Sequence, residues 1–578
     1  MRAKKYLFST LKETPHNSDC ISHTLMIRAG IIRQNSSGTY IWLPTGIKIL
    51  KKITNIIKKE MNQCGAMEIS MPFLQKKDLW KISGRLKTYG KELFHILDRQ
   101  NKEFVLGPTH EEIITCFMRN ELKSYKQLPI TLYQIQTKFR DEIRPRFGII
   151  RTKEFLMKDA YSFHLNSNSL KITYNKIYKI YKKIFKQMQL KFHVVAADSG
   201  LMGGKISHEF QAPAIHGENT IVHSTQSNYA ANLQSATSTK NKSTTKNLIT
   251  YDLNSIIKII NTQENTLTKL SNTPNSLNNN FVKTILVKAN KNSNYSFLAL
   301  LIRGDYSINE YKLSKIKEIF IPITFASNEQ ILKITGSKKK FISPINLKIP
   351  IIADFSVMNL KNFTIGSNIE NQYFNHMNWH KNISKPKMFY DIRYVTHGDP
   401  SPDGKGTLVL RNSIEIAHIF QLGKTYSKTM NMQIQDTTGD KKNITMGCYG
   451  IGITRILAAI IEQNHDQYGI IFPKNISPFQ IAIIPINFYK SKLVKKNSKN
   501  IYYFCKKNNI EVILDDREKS FGEIISEIEL IGIPHSIIIS EKLLRNNIVE
   551  YRTRCDNSKK FFNINNILKI ILETCLHK

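Results

Sequence analysis

Leu132-Tyr-Gln-Ile-Gln-Thr-Lys-Phe-Arg140-Asp-Glu142-Ile-Arg-Pro-Arg-Phe-Gly148-Ile-Ile-Arg151-Thr-Lys-Glu-Phe155 reads as strand, charged loop, strand. From Leu132 to Phe139 apolar and polar residues alternate, the pattern of a half-buried strand. Arg140 stands at its end. An arginine there offers a rigid two-pronged donor to a phosphate or a carboxylate. The loop Ile143-Arg-Pro-Arg-Phe-Gly148 adds positive charge and a glycine hinge. The same pattern also suits an Arg–Glu pair that does no more than stabilise a hairpin.

A second segment, Met446-Gly-Cys448-Tyr-Gly450-Ile-Gly452-Ile-Thr-Arg455, crowds glycines ahead of an apparent helix and sets an arginine in its first turn. Glycine lets backbone approach a ligand closely, and a helix N-terminus favours anions. A tight strand-to-helix packing turn would look the same. No Walker loop competes for the nucleotide. Gly398-Asp-Pro-Ser-Pro-Asp-Gly404-Lys405-Gly406 is one residue too long and has Gly406 where Ser or Thr is required. No His-Ile-Gly-His or Lys-Met-Ser-Lys-Ser sequence occurs.

The chain of 578 residues is long enough for three or four domains. Lys and Arg number 84 against 45 Asp and Glu, a formal net charge of +39. That balance favours a polyanionic partner such as RNA. Part of it is compositional, because Ile, Lys and Asn crowd the whole chain. The seven cysteines are scattered and form no Cys-x-x-Cys pair. Neither a disulfide framework nor a protein-held metal is expected, and a reducing cytoplasm is the simplest setting. No signal peptide and no membrane span are expected, since no apolar run approaches about 18 residues.

Residues 1–223 and 388–477 read as one interrupted catalytic body. A helix is predicted over Gly46–Glu60, a proline-bearing strand over Glu68–Leu74, and a long helix over Leu170–Met188. Residues 224–387 read as an inserted α+β module. It is entered through a Ser/Thr/Asn-rich stretch, Ser224 to Asn280, with strands at Phe281–Lys288, Tyr295–Ile302 and Ile349–Phe355. Residues 478–578 read as a small α/β domain with strands at Ile481–Pro485, Ile510–Leu514 and Ile537–Ile539.

Taken together and in order, Cys64-Gly-Ala-Met-Glu-Ile-Ser-Met-Pro72, the Arg140 hairpin and the Arg455 segment resemble the three motifs of class II aminoacyl-tRNA synthetases. Gly107-Pro-Thr109-His-Glu111-Glu, Glu154-Phe-Leu-Met-Lys-Asp-Ala-Tyr161 and His418-Ile-Phe-Gln-Leu-Gly423 narrow the resemblance to bacterial-type prolyl-tRNA synthetases. It extends through Leu514-Asp-Asp-Arg517 and Glu529-Leu-Ile-Gly-Ile-Pro-His535 and thins over 224–280. It implies an α/β multidomain chain: an antiparallel-sheet core, an inserted editing-like domain and an anticodon-binding domain. Threonyl or glycyl relatives fit Thr109-His-Glu111 and the insertion less well. A non-catalytic tRNA-binding relative would be expected to lack Arg140 or Arg455.

The resemblance also implies roles. Arg140 would meet the α-phosphate of ATP and the substrate carboxylate, and Arg455 the γ-phosphate. Phe155 would stack on adenine. Glu142 and Arg151 would help hold the nucleotide, whose phosphates Mg²⁺ would bridge. Thr109 and Glu111 would receive the cationic imino group of L-proline, with Cys448 as packing and Glu415 and His418 as further contacts. Chemistry would run through prolyl-adenylate to the 3′ end of tRNA(Pro), in a homodimer joined through the first motif. The insertion would hydrolyse alanyl-tRNA(Pro), with Lys283 and Asp354 at its pocket. Two departures count against that activity: Tyr373 stands at the family's pocket histidine, with His376 three residues away, and Ser343 precedes Pro344 where the family has glycine.

Overall fold

The computed structural model describes residues 1–15, 18, 20–197, 200–204, 206–239 and 280–576. Of the polar entry stretch expected from 224 to 280, residues 240–279 lie outside the described residues. The chain forms two compact units, Met1–Thr220 with Arg411–Lys578, and Ile221–Leu410.

In the first unit the helix α1 (Pro44–Gln63) buries Ile49, Ile53, Ile57 and Met61 at helical spacing and leaves its lysines outward. Pro44 sits in its first turn, where no backbone donor is needed. The helix stops at Cys64 and Gly65, whose φ of 84° suits only glycine comfortably. The strand expected over Glu68–Leu74 is broken in two. Met67–Glu68 (β1) runs beside β2 (Ile130–Phe139), and Leu74–Lys76 pairs instead with Glu103–Leu106. Pro72 lies between them and has no N–H to continue a ladder.

The core sheet adds β3 (Glu154–His164), β4 (His193–Ala197), β5 (Ile206–Pro213), β6 (Leu408–Gly423) and β7 (Thr445–Gly452). The pairings run β4-β5-β6-β7-β3-β2-β1, antiparallel except between β1 and β2. In this register Lys138 faces Phe155, Cys448 faces both Tyr161 and Phe420, and Gly450 faces His418. Residues far apart in sequence thus meet across neighbouring strands. The helix α2 (Ser167–Gln187) buries Tyr174, Ile177, Tyr181, Ile184 and Phe185 toward the core cluster. The helix α3 (Ile453–Gln463) leaves β7 directly at Gly452 and is buried along nearly its whole length.

The C-terminal part of this unit has the expected α/β pattern. Strands β8 (Ile481–Pro485), β9 (Val512–Leu514), β10 (His535–Ile539), β11 (Ile548–Thr553) and β12 (Lys559–Asn563) are ordered β9-β8-β10-β11-β12. It is not a separate compact unit at residue 478. Phe479, Ile484, Ile524 and Ile528 share one apolar cluster with Ile456, Ile460 and Ile470.

The second unit is α+β, with a four-stranded sheet of Val282–Lys288, Phe297–Arg303, Ile351–Asp354 and Met388–Tyr390. It continues past the expected end at 387 to Leu410. The reason is local: Met388–Tyr390 pairs in parallel with Ile351–Asp354, and Lys312 holds Asp391 at 2.8 Å.

Candidate active site

On the core sheet lies a cavity of about 350 Å³ whose lining includes Thr109, Arg140, Phe155, Glu415, His418, Cys448 and Arg455. Seven of the residues singled out from sequence, drawn from segments more than 300 positions apart, therefore share one space. Gly450 and Gly452 line it too. A Cβ at Gly450 would meet nothing nearer than the His418 carbonyl at 3.7 Å, so any larger side chain there would take up cavity space.

Arg140 follows β2, its backbone held by a 2.9 Å bond from its N–H to the Lys153 carbonyl. Its guanidinium lies over the Phe155 ring, 5.1 Å from the centroid. Its Nε is buried without a hydrogen-bond partner among the described residues. A buried donor of this kind is costly unless a ligand satisfies it. Arg455 is held differently. Its Nε donates to the Ile150 carbonyl at 2.9 Å, and one terminal nitrogen lies 3.1 Å from Glu218 and 3.8 Å from Glu415. Burial alone would ease the guanidinium's proton off, but the carboxylates of Glu218, Glu415, Glu142 and Glu209 raise its pKa further.

Glu415 shows the complementary case. Burial pushes its carboxyl up, yet the His418 hydrogen bond and the charges of His418, Arg455 and Arg140 hold it down at about 2. His418 Nδ1 lies 3.2 Å from Glu415 and 3.7 Å from Glu209, and its ring stacks on Phe420 at 3.8 Å. Ligand atoms of Glu209, Glu415 and His418 all fall within 4.8 Å of one another. This cluster was invisible in sequence, because Glu209 comes from β5 and carries no motif.

Thr109 donates its hydroxyl to Glu111 at 2.6 Å, and the Cys448 thiol donates to the same carboxylate at 3.1 Å. Glu111 itself is fully buried behind these two and does not line the cavity. Its third donor is Arg85, at 3.2 Å, a residue that no motif marks. Burial and then the Glu111 charge push the Cys448 thiol well up, which matches a packing role and not a thiolate nucleophile. Glu142 and Arg151 are not drawn into the cavity lining. They pair with each other at 2.8 Å across the hairpin, the alternative role such a pair can play.

Sequence reasoning also passed over Asp159, which lines the cavity and is buried. Gln134 at 3.0 Å and Tyr161 at 2.9 Å donate to one of its oxygens, and Lys138 forms an ion pair with the other at 2.8 Å. Burial would raise its carboxyl, but Lys138 and His110 bring it below the usual range. His110, desolvated and 2.7 Å from Lys138, is lowered to about 4 and stays neutral near pH 7.

In the second unit Lys283 is half-buried on its strand, opposite Ile302, and burial lowers its ammonium pKa. Asp354 is buried with both oxygens engaged: one accepts from the Ser356 N–H at 2.8 Å, the other from the Ile392 N–H at 3.0 Å. Tyr373 is buried between Phe281 and Phe341, with ring centroids at 5.7 and 5.6 Å. His376 sits at a strand irregularity with φ of 56°.

A family model described as the class II tRNA synthetase core domain (G, H, P, S and T) matches residues 93–464, and an anticodon binding domain model matches 480–574. A proline–tRNA ligase of Buchnera aphidicola subsp. Baizongia pistaciae is 66% identical, over 100% of both chains. Its namesake from subsp. Schizaphis graminum is 50% identical over 98% of each. Among solved structures, a prolyl-tRNA synthetase of Giardia lamblia in complex with prolyl-adenylate superimposes with a TM-score of 0.58 at 15% identity, covering 97% of this chain and 78% of that one. One from Cryptosporidium parvum, complexed with halofuginone and AMPPNP, gives 0.57 at 13%, covering 96% and 75%. At such identities the structural likeness speaks for the fold.

Proposed function

The chain belongs to the proline–tRNA ligases, a class II aminoacyl-tRNA synthetase family, and from that premise we propose how its own residues carry the reaction. The observation that carries the assignment is the convergence of Thr109, Arg140, Phe155, Cys448 and Arg455 on one cavity. The proline carboxylate attacks the α-phosphorus of ATP, the bond to the bridging oxygen breaks, and pyrophosphate leaves. Arg140, with an unused buried donor, meets the α-phosphate as charge develops on it. Arg455 takes the far end of the triphosphate, and Phe155 takes the base. A terminal ribose hydroxyl of tRNA(Pro) then attacks the activated carbonyl and AMP departs. Positioning and charge stabilisation supply most of the rate, as in other phosphate-centred reactions.

Mg²⁺ accompanies ATP as part of the substrate. The Glu209 and Glu415 carboxylates suit an ion that prefers oxygen donors, and Glu415 stays ionised at any working pH. Thr109 presents its hydroxyl lone pairs to the imino group, backed by the buried charge of Glu111. Glu142 and Arg151 act by fixing the hairpin. Dimerisation through the element around residues 64–72 is favoured by the exposed Met67 within it and the exposed Phe73 and Leu74 just after it. Among the described residues no helix is long and apolar enough to cross a membrane, and the cytoplasm is the proposed setting.

The insertion is proposed to edit poorly. The carboxylate of Asp354 is spent on two backbone donors, and Tyr373 packs as an aromatic core residue where the family has a histidine. Two assays test these assignments. Proline-dependent pyrophosphate exchange should fall by orders of magnitude when Arg140 is replaced. Deacylation of alanyl-tRNA(Pro) should run near background in both the intact chain and Lys283→Ala; a clear drop in the variant would restore the editing role.

A further inference from the structure

Behind the wall formed by Thr109 and Cys448, Glu111 belongs to a larger group of charges whose other members, Glu112 and Arg85, have no part in the proposed mechanism. Glu111 and Glu112 are both completely buried at the start of the helix Glu111–Glu121. They draw on the same nitrogen. Arg85 NH1 lies 3.2 Å from Glu111 Oε2 and 3.0 and 3.1 Å from the two oxygens of Glu112. That nitrogen carries two hydrogens and faces three oxygens. The rest of the guanidinium is turned elsewhere. Its other terminal nitrogen faces the Met202 sulfur at 3.3 Å, and its Nε has no partner among the described residues. Its plane is packed against Trp80, Tyr89 and Tyr426, 5.0 to 5.4 Å from their centroids.

Two buried carboxylates therefore share one paired countercharge; the Lys138 charge also reaches Glu111 but is itself matched by Asp159 at 2.8 Å. With both ionised the group carries one uncompensated negative charge, a costly state for a buried cluster. The Ser83 hydroxyl, 2.9 Å from Glu112, is the one further side-chain donor bonded to that carboxylate among the described residues. The group lies directly behind Thr109 and Cys448, which do line the cavity. A cation entering there would complete the charge balance.

Resting on the reading that Thr109 and Glu111 receive the amino acid, we propose that Glu112 is a specificity determinant acting through Arg85: by competing for the one guanidinium it leaves Glu111 under-neutralised, and so selects a substrate with a cationic ring nitrogen. Neutral rings of the same shape gain nothing from the excess charge. Arg85 is then a positioning residue, and Glu112 sets the charge that Glu111 presents without touching the substrate. The raised pKa of Glu112, from burial first and the neighbouring Glu111 charge, against the opposing pull of Arg85, is consistent with an under-compensated pair.

The test compares L-proline with tetrahydrofuran-2-carboxylic acid, which has oxygen in place of the ring nitrogen. Affinities are read as KM for proline in pyrophosphate exchange and as the inhibition constant of the analogue. In Glu112→Gln proline weakens at least tenfold, because one unit charge at an effective dielectric near 20 is worth about that much even at roughly 12 Å. The analogue and the KM for ATP hold steady. A loss shared equally by proline and the analogue, or by ATP, would mean that Glu112 is only structural and would overturn the proposal. Should Glu112→Gln fail to fold, Ser83→Ala serves. Without that donor Glu112 takes up a proton more readily, so the preference for proline shrinks and returns as the pH is raised; a preference indifferent to pH in that variant also overturns it. Glu111→Gln separates the two levels. If it leaves the proline preference intact, the assignment of the amino-acid pocket itself is wrong, whatever Glu112 does.

Discussion

Arg140→Gln should remove activity while leaving the fold nearly untouched, and the geometry says by how much. The side chain makes no ion pair or hydrogen bond with any described residue; its contact is the Phe155 ring at 5.1 Å. Losing that contact costs about 0.5–1 kcal/mol of stability, the usual worth of a partly exposed cation–π pair. No carboxylate is left buried and unpaired, so the larger penalty for a broken buried pair does not arise. In the proposed mechanism the same side chain meets charge developing on the α-phosphate oxygens in the transition state. Removing one preorganised donor of that kind costs roughly 3–4 kcal/mol, or about 10²–10³ in rate. Pyrophosphate exchange at saturating ATP and proline measures the rate, and chemical denaturation measures the stability. A loss of less than about tenfold, or a destabilisation of several kcal/mol that accounts for it, refutes the reasoning.

Glu415 has a depressed folded pKa of about 2. Its contribution to stability is thus present above the ordinary glutamate range and disappears as pH falls from there toward 2; urea midpoints measured across that window should fall, and Glu415→Gln should flatten that limb. Cys555 is exposed whereas Cys448 is buried with its thiol pushed up, so iodoacetamide should label Cys555 first, with mass spectrometry finding Cys448 unmodified and exchange activity intact. Gly450→Val places a branched side chain in the cavity without a backbone clash, since the nearest atom to its Cβ is 3.7 Å away. The KM for ATP should rise at least tenfold with the thermal midpoint within a few degrees of the parent, about what a change below 1 kcal/mol produces; a collapsed midpoint would place the effect in packing.

The parts of the fold legible in sequence are those where one local pattern decides one local structure. α1 and α2 follow from apolar spacing, and β2 from alternation. The cavity residues Arg140 and Arg455 stand out because each follows a strand or opens a helix in a recognisable way. What stayed hidden depends on pairing at long range. Glu218 meets Arg455, Glu209 meets His418 and Arg85 meets Glu111; no spacing predicts a partner contributed by another element. The boundary at 387 fell short for the same reason, since Met388–Tyr390 is fixed by a parallel neighbour that no hairpin turn announces. Glu142 and Arg151 show a further layer. A motif assigns them to the nucleotide, and across the hairpin they also pair with each other at 2.8 Å, a contact the motif does not announce.

The two arginines that first pointed to a nucleotide differ in how they are held, and the difference sorts their roles. Arg455 is tied by a backbone carbonyl and flanked by Glu218 and Glu415, so a phosphate arriving there takes over from partners of comparable charge. Such an exchange yields modest net binding and differs little between ground and transition states. Arg140 makes no ion pair or hydrogen bond with a described residue, its charge reaching Glu415 only at longer range, and its backbone is fixed at the end of β2. Its strongest interaction is therefore left for charge that appears beside it, which in the proposed mechanism is the charge on the oxygens of the phosphoryl group under attack. Only an interaction that strengthens on the way to the transition state accelerates the step. On that ground we propose that Arg140 governs the rate and Arg455 the placement of the triphosphate, a distinction that two similar-looking sequence motifs do not reveal.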